Sequence, residues 1–195
     1  MPLHLIPREA KFFDLLEGLS SPLADRSAAL AGRSAAPADP EAGAGPADAI
    51  GRMVAALDAS FITPFDREDI YRLAVALVDV RSTIDDAAHR LGESEDTSGF
   101  AAALGAIVAI CTGIDAAVRA LRDPSKNAEG LRGHLVAIER DVDAAARRLP
   151  ADGPEGREDL AAGLRRIGIE ASVRRALDAC REAGRAVAVV VVKGA

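Results

Sequence analysis

At 195 residues the chain is long enough for one domain with a sizeable core, or for two small helical repeats that share one. Its 30 acids and 24 bases are interspersed and sum to a net charge of −6, so no basic stripe exists to neutralise phosphates, which excludes nucleic acid and anionic membrane as preferred partners. Aromatics make up 3% of the chain and Trp is absent, while Ala, Leu, Arg and the acids recur and Pro and Gly gather in a few places; the predicted class is all-α.

The opening "MPLHLIPREAKFFDLL" lacks a basic region followed by an apolar one, so no secretory signal is expected. Residues 8–30 place Phe12, Leu15, Leu16, Leu19, Leu23 and Leu30 at helical spacing, interrupted at "SSP", which predicts one kinked helix or two short ones. Residues 32–47 hold three of the ten prolines among small residues and read as a flexible surface loop. Asp48 is the expected N-cap of a second helix that runs to about residue 60. In "FITPFDREDIYRL", Thr63 is the expected cap of a third helix, with Pro64 at its first position and Asp66 closing a capping-box spacing.

Within that helix Ile70, Leu77, Ile84 and Leu91 recur every seven residues, with Leu73, Ala74, Val80, Ala87 and Ala88 between them. Such a seam faces other helices in a bundle. Glu68, Arg72, Asp79 and Asp86 form a stripe away from it. Further helices are predicted over 99–121, 130–149 and 155–193. The last contains Gly163, Gly168 and Gly184 as kink points, and its β-branched tail "VAVVVVK" needs burial to stay helical. The apolar run 186–192 is too short to span a bilayer, so any membrane association is expected to go through a partner.

Two halves echo one another. "DAIGR" at 48–52 is matched by "DAAAR" at 143–147, and "REDI" at 67–70 by "REDL" at 157–160. Ala76, Leu77 and Asp79 are followed in the second half by Ala176, Leu177 and Asp178.

Two pairs of carboxylates carry most of the chemistry. Glu139 and Asp143, like Asp178 and Glu182, lie four apart on predicted helices, so each pair points to one face and offers oxygen ligands to a divalent or ferric ion. The same spacing is common on wet faces, where Arg140, Arg147, Arg174 and Arg181 are available as partners. Asp66, Glu68 and Asp69 suit the positive end of a helix N-terminus. His4, His89 and His134 are dispersed without a ligand spacing. Cys111 and Cys180, far apart and outside any CxxC, read as core residues of a reducing compartment. No nucleophile elbow, phosphate-cradling loop or dinucleotide fingerprint appears.

The phrase "FITPFDREDIYRLAVALVDV" at 61–80 resembles the signature of the PhoU-like branch of phosphate-transport regulators. The opening "LIPREAKFFDLLE" and the pattern of Ile138, Glu139, Asp143 and "ALDACREA" are similar to that family as well. The resemblance implies a bundle of about six long helices in two three-helix repeats, about 8–92 and about 98–193, forming a single domain over 1–195. It also implies a cytoplasmic, non-enzymatic protein that controls phosphate uptake through a phosphate transporter or a phosphate-sensing protein, without inserting into the membrane itself. It implies metal binding on acidic helix faces, which transfers to Asp79, Glu139, Asp143 and Asp178, with Glu182 added by its spacing from Asp178. The chain departs from the family pattern where Val78 and Ser82 flank Asp79, where Arg174 precedes Asp178, and at Ala44; only Glu139 with Asp143 keeps the full spacing. Two other readings remain open: a metal-binding helical protein, and a ligand-free structural homo-oligomer.

Overall fold

The computed structural model describes residues 7–32, 45–94, 97–150 and 160–194. His4, Ala44, most of the predicted 32–47 loop, and the first residues of the predicted last helix, with most of its "REDL", lie outside the described residues. Those described form six α-helices and no strand: α1 (Pro7–Gly32), α2 (Pro46–Asp58), α3 (Arg67–Gly92), α4 (Ala101–Ala120), α5 (Ala128–Arg147) and α6 (Leu160–Gly194). A short 3₁₀ turn, Ser98–Phe100, leads into α4.

Helix α1 runs through Pro22 as one element. A proline there removes the hydrogen bond to the carbonyl four residues back. That carbonyl belongs to Gly18, which is exposed and open to water, so the helix continues.

Two expected caps are corrected by the structure. Asp48 is the third residue of α2, and its carboxylate accepts a hydrogen bond from the Gly45 N–H at 3.0 Å, so the cap lies at Gly45. Helix α3 starts at Arg67, and Asp66 is its cap, accepting from the Glu68 N–H at 2.9 Å. Thr63 instead donates its hydroxyl to the Phe65 carbonyl at 2.7 Å, which folds 60–66 into a loop. The Arg67 guanidinium ties that loop down by donating to the Ser60 carbonyl, and Phe65 meets Phe13 of α1 edge-on with centroids 5.8 Å apart. Its tip leaves Phe61 98% exposed and Ile62 62% exposed.

The α3 seam is core: Ile70, Leu73, Ala74, Leu77, Val80, Ile84, Ala87 and Leu91 are buried, and Ala88 is partly buried against them. Helix α3 makes its most extensive contact with α6, and α1 lies along α4. Helix α4 also packs on α5 and α6. By length and composition alone α4 is the one helix among the described residues apolar enough to cross a membrane. Here its Leu104, Ile107, Ile110, Ile114 and Val118 are buried among its neighbours.

Helix α6 is a single 35-residue helix despite its glycines. Gly184 is required by packing, since a Cβ there would stand 2.9 Å from Ile138 Cγ2 on α5. The same Ile138 reaches Gly113 of α4, where a Cβ would lie 3.6 Å away. One isoleucine thus fills a slot between two glycines, and α4, α5 and α6 approach closely around it. The β-branched tail of α6 is helical and largely covered, with Val187 and Val190 buried, as its low helix propensity demands.

Candidate functional site

The five candidate ligands fall in two regions, both involving α6. On the α5/α6 face, Glu139 and Asp143 project toward α6 and meet two arginines one turn apart. Arg181 donates to Asp143 Oδ1 at 2.6 Å, and its Nε lies 3.6 Å from Glu139 Oε2, an ion contact too long for a hydrogen bond. Arg185 donates to Glu139 Oε1 at 2.9 Å, and that hydrogen bond, with the carboxylate's charge, raises the pKa of its guanidinium. A cation placed between Glu139 and Asp143 would have to displace both guanidiniums or share the carboxylates with them. Arg140 pairs with Asp141 and Arg174 with Glu170, so neither serves this pair in the way its sequence position allowed.

The second region is a cleft of about 430 Å³ between α3 and α6. Its apolar lining is Tyr71, Val75 and Ala76, and its polar lining is Glu68, Arg72, Asp79 and Glu182. The helical spacing of Glu68, Arg72 and Asp79 places them along one side, and Glu182 stands across from them on α6. Asp178, one turn before Glu182, is exposed and does not line the cleft. Asp86, the fourth member of the predicted stripe, lies farther along α3. There it accepts hydrogen bonds from Arg90 at 3.3 Å and from Arg175 of α6 at 2.5 Å. Among the described residues no three His, Cys, Asp or Glu side chains come together in a way that could hold a metal ion.

Of the three first-turn acids of α3, Asp66 caps and Glu68 lines the cleft, but Asp69 does something its sequence position did not announce. Its side chain is 1% exposed and meets the ammonium of Lys193 at the far end of α6. Oδ1 accepts a hydrogen bond at 3.1 Å, while Oδ2, at 2.8 Å, makes an ion contact without hydrogen-bond geometry. That partner holds the Lys193 pKa above its ordinary value. The only sequence signal for this pairing was a lysine closing an apolar tail.

Both cysteines are fully buried, and they are neighbours: the Cys180 thiol on α6 hydrogen-bonds to Cys111 on α4. That bond and the burial push the Cys180 thiol well above its usual range, leaving it a poor nucleophile. At the α1/α4 contact, Arg122 reaches Asp14 and Glu17 while covering the Phe13 ring at 5.5 Å. Ser20 donates there to Asp115 at 2.7 Å.

No protein-family model matches the chain, and no curated protein matches it.

Proposed function

We propose that this chain is a non-enzymatic regulatory or accessory protein of inorganic phosphate transport, acting by protein contact at the cytoplasmic face of the cell membrane. The observation that carries this reading is the stretch 61–80, whose residues resemble the PhoU-like phosphate-transport regulators. That one stretch forms both the exposed Phe61 and Ile62 of the α2/α3 loop and the α3 side of the cleft. A fully exposed phenylalanine on a loop tied down at both ends is apolar area offered to a partner.

The pairing of helices supports two related three-helix repeats in one domain, α1 to α3 over about 8–92 and α4 to α6 over about 98–193. Helix α1 lies on α4 and α3 on α6, and in each set the third helix packs on the other two. A duplicated unit related by an approximate two-fold axis makes this kind of pairing.

Deleting the gene is expected to alter phosphate uptake or phosphate-dependent expression. The tagged protein is expected to co-purify with a phosphate transporter or a phosphate-sensing protein from detergent-solubilised membranes. Unchanged uptake at both high and low phosphate, together with no such protein captured, removes this reading.

A further inference from the structure

The α3/α6 cleft has an apolar floor under a rim of unbalanced charge. Val75 is half-buried and Ala76 buried at its base, and Tyr71, 42% exposed, forms a wall. Around them stand three carboxylates, Glu68, Asp79 and Glu182, and one guanidinium, Arg72, leaving two negative charges in excess. Among the described residues, no hydrogen bond or close ion pair engages the side chains of Asp79 and Glu182, although Glu182 lies near enough to Arg185 to help raise its pKa. This contrasts with Glu139 and Asp143, held by arginines a short way around α6.

We propose that this cleft docks a Lys/Arg-rich segment of the membrane partner, which lays an apolar side chain against Val75 and Ala76 and sets its cationic groups on Asp79, Glu182 and Glu68. The identity of the partner rests on the transport reading; the chemistry of the cleft does not. Charge complementarity selects the occupant. An anionic surface or nucleic acid is repelled by the rim, and the cleft, whose lining includes the cationic Arg72, brings no three metal-ligating side chains together among the described residues. A second copy of this acidic chain would bring like charge to like charge unless it offered a basic face. The cytoplasmic loops of integral membrane proteins, by contrast, carry an excess of Lys and Arg. A cleft of this volume takes side chains from a segment laid across it, the mode in which a few apolar anchors supply affinity and charges fix register.

The test uses the full chain and two labelled synthetic dodecapeptides, one of alternating Arg, Lys and Leu and one in which every base is replaced by Glu. Fluorescence anisotropy is expected to show binding of the basic peptide alone. That binding should weaken about tenfold in Asp79→Ala with Glu182→Ala, and far less in the equally charge-shifted control Asp25→Ala with Glu129→Ala. Circular dichroism and thermal melts of both variants establish that each is folded. Binding lost equally in the two double variants, or no binding of the basic peptide by the wild type, overturns the proposal. A wild-type dimer in sedimentation that disappears in the cleft variant assigns the cleft to a second copy and overturns it as well.

Capture from solubilised membranes separates this inference from the reading beneath it. A transporter retained by the wild type and lost by the cleft variant supports both. One retained by both proteins overturns the docking site and leaves the transport reading standing. None retained by the wild type, together with unchanged uptake in the deletion strain, removes the transport reading and, with it, the membrane partner named here.

Discussion

The α5/α6 face and the α3/α6 cleft are built from the same materials, helical carboxylates beside an arginine-rich α6, and they differ in which side of α6 each one meets. Toward α5, Arg181 and Arg185 are aligned one turn apart and close onto Glu139 and Asp143. Toward α3 the residue at the corresponding place is Glu182, which faces Asp79 across an open cleft. A rotation of one residue around α6 therefore separates a neutralised seam from an acidic one. Carboxylate spacing within a single helix identifies a face; what lies opposite decides whether that face is a structural lock or a site.

The comparison depends on α3 and α6 being held by their shared core, and the largest effect is expected there. Leu77 is fully buried, and Leu77→Ala should cost about 2–5 kcal/mol by chemical denaturation. A change within about 0.5 kcal/mol would mean that the two faces of α3 have been exchanged.

On the other side of α6, Gly184→Ala places a methyl 2.9 Å from Ile138 Cγ2. Overpacking of this kind costs about 1–3 kcal/mol, offset in part by the gain of about 1 kcal/mol in helix propensity. Ile138→Ala removes the clashing methyl, so a double-mutant cycle should show the two changes compensating; simple additivity would place α5 farther from α6.

Smaller effects distinguish the two acidic regions directly. Glu139→Gln or Arg181→Ala breaks part-exposed ion pairs and should cost about 0.2–1 kcal/mol, less at high salt. Asp79→Asn should be neutral or slightly stabilising, because it relieves the rim. Equal losses in both regions would erase the distinction.

Acid titration reads the third α3/α6 contact. Burial alone would raise the Asp86 pKa, but hydrogen bonds and charge from Arg175 and Arg90 outweigh it and hold the carboxyl below its ordinary 3.8. A depressed carboxyl contributes stability that is present above the unfolded value and lost as pH falls through the folded one. Denaturation midpoints measured from about pH 5 downward should therefore fall less steeply in Asp86→Asn than in the wild type. The smallest expected signal is calorimetric: iron, zinc, manganese or magnesium should give no tight binding at Glu139 and Asp143, where guanidiniums already stand. Tight binding abolished by Glu139→Ala with Asp143→Ala would reverse that expectation.

Helix number and the buried seam of α3 were legible because apolar periodicity reports local structure, and Ile70, Leu77, Ile84 and Leu91 all point inward. Helix starts were less so. Thr63 and Asp48 both have capping chemistry, but caps compete locally, and the loop held by Arg67 and Phe65 moved the cap of α3 to Asp66. The acidic pairs were legible as faces and not as environments, since their partners come from another helix: Arg185 answers Glu139 from 46 positions away. Asp69 with Lys193 and Cys111 with Cys180 were unreadable for the same reason. Each is a contact between helices remote in sequence, set by the packing of α6, which no periodicity within one helix encodes.

Helix α4 also bears on how the chain is made. As it emerges from the ribosome, its apolar stretch presents to the insertion machinery what a membrane span presents, by length and composition. Its main cover, α1, has by then already been synthesised, and carries Leu16 and Leu23 for the apolar contact, with Ser20 and Glu17 for Asp115 and Arg119. The two can pair across the intervening α2 and α3 before α5 and α6 exist, so the order of synthesis brings cover early to the one helix among the described residues that is apolar enough to cross a membrane.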